Sequence, residues 1–279
     1  LIPHGASSRN AGFACFGSLT ELASDIKIMG ENDVYDLVEQ RWRGLSVLKG
    51  LVGTEPIEYQ NLGGYELFTN HDQNSYHSAL NLMPKANAEL KTIIGKDTFQ
   101  KADNRINSFK FKGIEHIIFN QYEAQINTGK MISRLITLAR ESGIEIINGV
   151  TVNHIEDLNT SVEIDTTLGN IKCLQCLIAT NGFTKNLLPE IEVEPARAQV
   201  LITSPIPNLP FRGTFHYNDG YYYFRNVGNR VLFGGGRNLD LVNETTTEMV
   251  LSDLIQNKLE ELLNEVILPS SAFEIEQRW

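Results

Sequence analysis

Apolar residues along this chain fall into a few clear periodic stretches. From 33 to 51, Val34, Leu37, Val38, Trp42, Leu45 and Leu48 recur at three and four residues, which predicts an amphipathic helix. Residues 72–94 read as a second helix, with a possible break at Pro84. A third covers 128–142, where Met131, Ile132, Leu135, Ile136, Leu138 and Ala139 form the stripe and Gly143 closes it. The pattern then shortens. Residues 144–147 and 150–156 read as a strand pair or one bent strand, and 162–166 with 170–172 as a hairpin about Leu168-Gly169. The run 176–180 reads as a buried strand of parallel type, ending at Asn181-Gly182. Beyond Pro189, residues 193–204, 213–217, 220–225 and 230–235 are Val-, Tyr-, Phe- and Ile-rich strands separated by Pro and Gly turns. A last amphipathic helix is expected over 245–266. Tyr65 begins a short strand after Gly63-Gly64, and residues 5–18 are a loop leading into a helix capped by Ser18 or Thr20.

This order predicts an α/β chain: a helix, short strands and a buried strand make a βαβ layer with an inserted meander, followed by a mostly antiparallel part. No period of 20–50 residues repeats. The formal net charge of −10 argues against nucleic acid as the main partner. No run of 18 apolar residues exists, so no membrane span is expected, and a cytoplasmic protein is the default. Cys173 and Cys176 form a lone CxxC with no second pair for zinc, better read as two strand cysteines. His71, His77, His116, His154 and His216 fall in no metal-ligand spacing. The chain opens at Leu1 and closes at Trp279, and both ends read as cuts.

Two stretches carry candidate chemistry. Residues 5–13 (GASSRNAGF) combine small residues that allow close backbone approach, hydroxyl and amide donors, and the charge of Arg9. That suits an anionic, planar ligand; it is equally the composition of a solvated loop. Residues 220–236 read as a hairpin in which alternation puts Tyr221, Tyr223 and Arg225 on one face, and Tyr222 and Phe224 on the other. Two phenols and a guanidinium could bind a substrate carboxylate; an aromatic ladder that only stabilises a sheet is the alternative.

The segment GASSRNAGF is similar to the one that follows the second strand of the dinucleotide fold in FAD-dependent oxidoreductases of the D-amino-acid oxidase / glycine oxidase superfamily. Three further segments agree in order: 123–130 followed by 149–152, then 177–182, then 195–200. The resemblance implies a partial FAD-binding, Rossmann-like domain (1–50 and 121–194) interleaved with an α+β substrate domain on a mostly antiparallel sheet (51–120 and 195–279). It assigns Ser7, Ser8, Arg9, Asn10, Ala11 and Gly12 to the flavin pyrophosphate and ribityl chain. Val152 falls on the adenine side, and Ala179, Thr180, Asn181 and Gly182 near the pyrophosphate. The hairpin would wall the flavin, with Gly234-Gly235-Gly236 admitting the ring. The phosphate-binding glycine loop is expected upstream of Leu1.

Some relatives attach FAD through a histidine; that position corresponds to Arg9, which implies non-covalent FAD, although His4 stands close by. The implied activity is oxidation of the C–N bond of an amine or amino acid by hydride transfer to flavin, with dioxygen or another acceptor taking the electrons. A 2-hydroxy-acid dehydrogenase and a non-catalytic flavoprotein subunit are the alternatives.

Overall fold

A computed structural model of the chain describes residues 5–279. The elements run β1 (Phe13–Ala14), α1 (Leu19–Met29), α2 (Glu31–Val52), β2 (Gly64–Thr69), α3 (Gln73–Ile94), β3 (Phe99–Lys101), α4 (Ile106–Phe109), β4 (Ile114–Asn120) and β5 (Ala124–Gln125). After α5 (Thr128–Glu141) come β6 (Val152–Asp157), β7 (Val162–Thr166), β8 (Ile171–Cys173), β9 (Gln199–Thr203), β10 (Thr214–Tyr217), β11 (Tyr222–Val227), β12 (Arg230–Gly235), α6 (Asp253–Leu262) and β13 (Ile275–Arg278). Among the described residues, no helix is long and apolar enough to cross a membrane.

The chain divides into two compact units. The larger, residues 5–136, 198–239 and 250–279, is built on an eight-stranded sheet of order β13-β9-β12-β11-β10-β2-β4-β3. Only the β10–β2 pair is parallel; the other pairs are antiparallel, as a hairpin-rich order requires. Strand alternation sorts the side chains. On one face Tyr65, Leu67, Leu201, Phe215, Phe224 and Phe233 join Ile255, Leu259 and Leu262 of α6 in a single core. The other face carries Phe68 and Ile118, which pack under α1–α3 through Phe16, Leu19, Leu22, Val38 and Leu90. It also carries a row of polar groups, since Glu66, His216 and Tyr223 lie directly opposite one another on β2, β10 and β11.

The smaller unit, residues 137–197 and 240–249, contains the meander β6-β7-β8. Arg197 and Glu244 anchor it: the guanidinium forks onto a carboxylate that is almost wholly buried, at 2.9 and 2.5 Å.

Several expectations are corrected. Residues 144–147 and 176–180 are not strands, and their apolar side chains are largely exposed, Ile144 and Leu177 at 57% and 89%. A strand needs a partner for its backbone groups, and no described residue pairs with either stretch. The residues after Thr180 instead form a 3-10 turn, Asn181–Asn186. Pro84 does not break α3, which runs through it with Ala79, Ala86 and Leu90 buried on either side; tertiary packing offsets a cost of about 3 kcal/mol. The last helix starts not at 245 but at Asp253, behind Ser252, because Thr245, Thr246 and Thr247 are β-branched and disfavour helix. It ends in a π turn, Leu263–Ile267. Strand β9 is shorter than 193–204, since Arg197 pairs its backbone N–H with Glu244.

Candidate active site

The polar face of the large sheet meets the loop 5–18. That loop is internally braced: Asn10 Nδ2 donates to the carbonyls of Ala6 and Ser7, and its Oδ1 accepts from Gly12 N at 2.9 Å. Gly12 has φ +71, and a Cβ there would fall 2.5 Å from the Ile126 carbonyl oxygen, so no larger residue fits. Ser7, Arg9 and Asn10 remain exposed along the loop, while Gly12 is buried. Ser18 ends it as the N-cap of α1 in a reciprocal capping box with Glu21.

Arg225 ties this loop to the sheet. Its Nε donates to the Ala11 carbonyl and its Nη2 to that of Ile126 at 3.1 Å. Burial pulls the guanidinium down to about 10, against the raising influence of Glu58. Tyr223 shares its face, as alternation predicts, with Tyr222 and Phe224 in the core on the other. The glycine run serves these tyrosines: a Cβ on Gly234 would sit 2.8 Å from the Tyr223 ring, and one on Gly235 2.0 Å from the Tyr221 carbonyl oxygen. Close approach here is between neighbouring strands.

Beside Tyr221 opens a cavity of about 590 Å³ between the start of α1, the start of α3 and the loop after β10. Ser18, Thr20, Asn74, Ser75, His216 and Tyr221 contribute to its wall, with Glu21, Asp25, Lys27 and Asp219 as further charges. Beneath it lies a buried acid cluster that sequence reasoning missed. His216 Nε2 is 3.1 Å from Glu123 Oε2, which also accepts from Thr214 Oγ1 at 2.8 Å. Glu66 is fully enclosed and meets the Thr20 hydroxyl and backbone N–H at the start of α1.

Burial drives the Glu66 carboxyl up from its ordinary range, with Thr20, His216 and Ser18 opposing. For His216, burial disfavours the charged ring, but Glu123 and then Glu66 outweigh it and hold it at about 9. Gly64 makes room for this, since a Cβ there would fall 2.0 Å from Glu123 Oε2. Only Gly63-Gly64 hinted at the cluster in the sequence; Glu66, Glu123 and His216 are too far apart in the chain for any spacing to join them.

The remaining expected cofactor residues, Val152, Ala179, Thr180, Asn181 and Gly182, all belong to the smaller unit. Val152 opens β6, and Asn181 and Gly182 start the 3-10 turn. Gly182 is closely covered by Pro195, whose Cβ would lie 3.1 Å from an added Cβ. Cys173 ends β8 and Cys176 is exposed, both as free thiols. His4 lies outside the described residues.

A family profile described as FAD dependent oxidoreductase matches residues 1–279. This chain belongs to that family. The family's FAD dependence suits the exposed Ser7, Arg9 and Asn10 of the loop 5–12. No curated protein matches the chain in sequence. Among solved structures it is similar to glycine oxidase from Bacillus cereus, with TM-score 0.69 and 17% identity over 98% of this chain and 71% of that one. Glycine oxidase from Geobacillus kaustophilus gives 0.69 and 15% over 99% and 71%. L-Proline dehydrogenase from P. horikoshii gives 0.69 and 14% over 87% and 66%. At these identities the likeness is one of fold, and it accords with the mixed α/β architecture and its large antiparallel sheet.

Proposed function

We propose that this chain oxidises the C–N bond of an amine or amino acid. The observation that carries the reading is the cavity whose wall includes His216 of the polar sheet face and Tyr221, in a chain matched along its whole length by the FAD-dependent family. The relatives named glycine oxidase and proline dehydrogenase support the substrate class. Bound FAD would supply the hydride acceptor. Ser7, Ser8, Arg9, Asn10, Ala11 and Gly12 would hold it non-covalently through backbone and side-chain donors, and the family resemblance also assigns Val152, Ala179, Thr180, Asn181 and Gly182 to FAD. On this reading 1–50 with 121–194 serve FAD, and 51–120 with 195–279 serve the substrate.

The protein's share of the chemistry is orientation and exclusion of water. Tyr221 and Tyr223 would position the amine-bearing carbon, while Arg225 holds the loop against the sheet. The substrate nitrogen reacts as the neutral amine, so no strong base is required. Passing a C–H hydride to the flavin would leave an iminium ion, which gives up a proton as the imine, and water converts that to a carbonyl compound and an amine or ammonia.

The test is anaerobic mixing of the FAD-loaded full-length protein with panels of amines, amino acids and 2-hydroxy acids. Loss of the oxidised flavin absorbance with amines or amino acids is the expected result. Reduction by hydroxy acids alone would replace the reading, and no reduction by any panel would make the chain a non-catalytic flavoprotein.

A further inference from the structure

The cavity wall contains a histidine whose two ring nitrogens face different tasks. Nε2 of His216 is spent on Glu123 at 3.1 Å, whereas Nδ1 has no hydrogen-bond partner among the described residues, and the ring forms part of the cavity lining. Glu123 is buried, and no lysine or arginine pairs with it among the described residues; its partners are Thr214 and His216. A carboxylate out of water needs a compensating charge, and the imidazolium is the one at hand. The ring is also fixed in place, since Phe13 packs edge-on against it at 5.3 Å between centroids.

Meanwhile the guanidinium that alternation offered as a carboxylate clamp, Arg225, has Nε and Nη2 committed to the Ala11 and Ile126 carbonyls. The cavity's acids are partly engaged elsewhere: Glu21 pairs with Arg41 at 3.1 Å, and Asp219 accepts from Ser75 at 3.2 Å.

We propose that His216, kept cationic by the buried carboxylate of Glu123, is the cavity's carboxylate-recognition group, donating from Nδ1 to the carboxylate of an amino-acid substrate. Glu123 is then a positioning residue, acting through the ring. The proposal rests on the reading of the chain as an amine or amino-acid oxidoreductase and narrows it to substrates that carry a carboxylate. The groups facing the ring are Glu66 from β2, Glu123 beside β5, Tyr223 from β11 and Glu21 from α1; Asp25, Lys27 and Asp219 share the cavity. Three of these carboxylates, Glu123, Glu66 and Glu21, bias the ring toward its charged form.

The first experiment reads binding without turnover. The FAD-loaded protein with ¹⁵N-labelled histidine is titrated with sodium acetate and, separately, with acetamide, following the His216 ring signals identified by their loss in His216→Gln. Acetate should move the Nδ1 signal and acetamide should not; an Nδ1 signal unmoved by acetate overturns the proposal. In the wild type the acetate response should persist until the pH passes about 9. In Glu123→Gln that limit should fall toward the ordinary histidine value of 6.5 or below. An unchanged limit would sink the role given to Glu123.

The second experiment compares an amino acid with the amine that lacks only its carboxylate. In His216→Gln the KM of the amino acid should rise about ten- to hundredfold, with kcat and the KM of the amine little changed. Equal losses on both would overturn the proposal while leaving the oxidoreductase reading intact. If neither compound reduces the flavin, that reading fails, and the acetate titration still decides whether His216 binds carboxylates.

Discussion

His216 and Glu123 are a buried pair whose charge state depends on the fold. The histidine's folded value of about 9 stands above its ordinary 6.5. The pair therefore contributes stability that is fully present below pH 6.5 and is lost as pH rises through about 9. Glu66, also raised by burial, acts with the same sign: its contribution is present below the ordinary carboxyl range and declines above it. Thermal unfolding across pH 6–10 should thus show Tm falling through the upper window, and Glu123→Gln should flatten that fall. A wild-type Tm independent of pH there would mean that the ring is neutral in the folded protein. Gly64 belongs at this scale too, because its missing side chain is what admits the Glu123 carboxylate.

Between elements, the decisive link is the clamp of Arg225 on the loop that precedes β1. Two carbonyls, on Ala11 and Ile126, converge on one guanidinium, and Gly12 beneath it has no space for a Cβ. Arg225→Met keeps the apolar stem but leaves both carbonyls without that donor. We expect a loss of about 1–3 kcal/mol in unfolding free energy, together with weaker FAD binding, both measurable by denaturant titration and by fluorescence titration with FAD. Full retention of both would mean that the loop holds its shape without the sheet. Alternation along β11 was legible in the sequence, and Tyr223 and Arg225 do share a face. What the guanidinium touches was not legible, because Ala11 and Ile126 reach it from opposite parts of the chain.

Over the whole molecule, burial is unevenly divided. Both apolar core clusters lie in the larger unit, whereas the smaller exposes Ile144, Ile147, Leu168, Leu174 and Leu177. Local stability follows buried contacts and paired backbone groups. In a protein of these 279 residues, amides of 144–150 and 174–180 should exchange with deuterium within seconds at neutral pH, while β9–β12 stay protected for orders of magnitude longer. Comparable protection of the two stretches would show that they are paired after all.

The sequence by itself determined the helices α1, α2, α3 and α5, the hairpins β7–β8 and β11–β12, and the loop that carries the family likeness. These follow from periodicity, caps and turn residues, all acting within about a dozen neighbours. Only the tertiary structure decided which apolar runs became strands, since 144–147 and 176–180 have strand composition but no pairing partner among the described residues. It also decided where the polar chemistry gathers. Glu66, Glu123 and His216 meet because β10 lies parallel to β2 in the sheet, with Glu123 brought alongside. Such a pairing between distant segments is set by the packing of the whole sheet, and leaves no local periodicity to read.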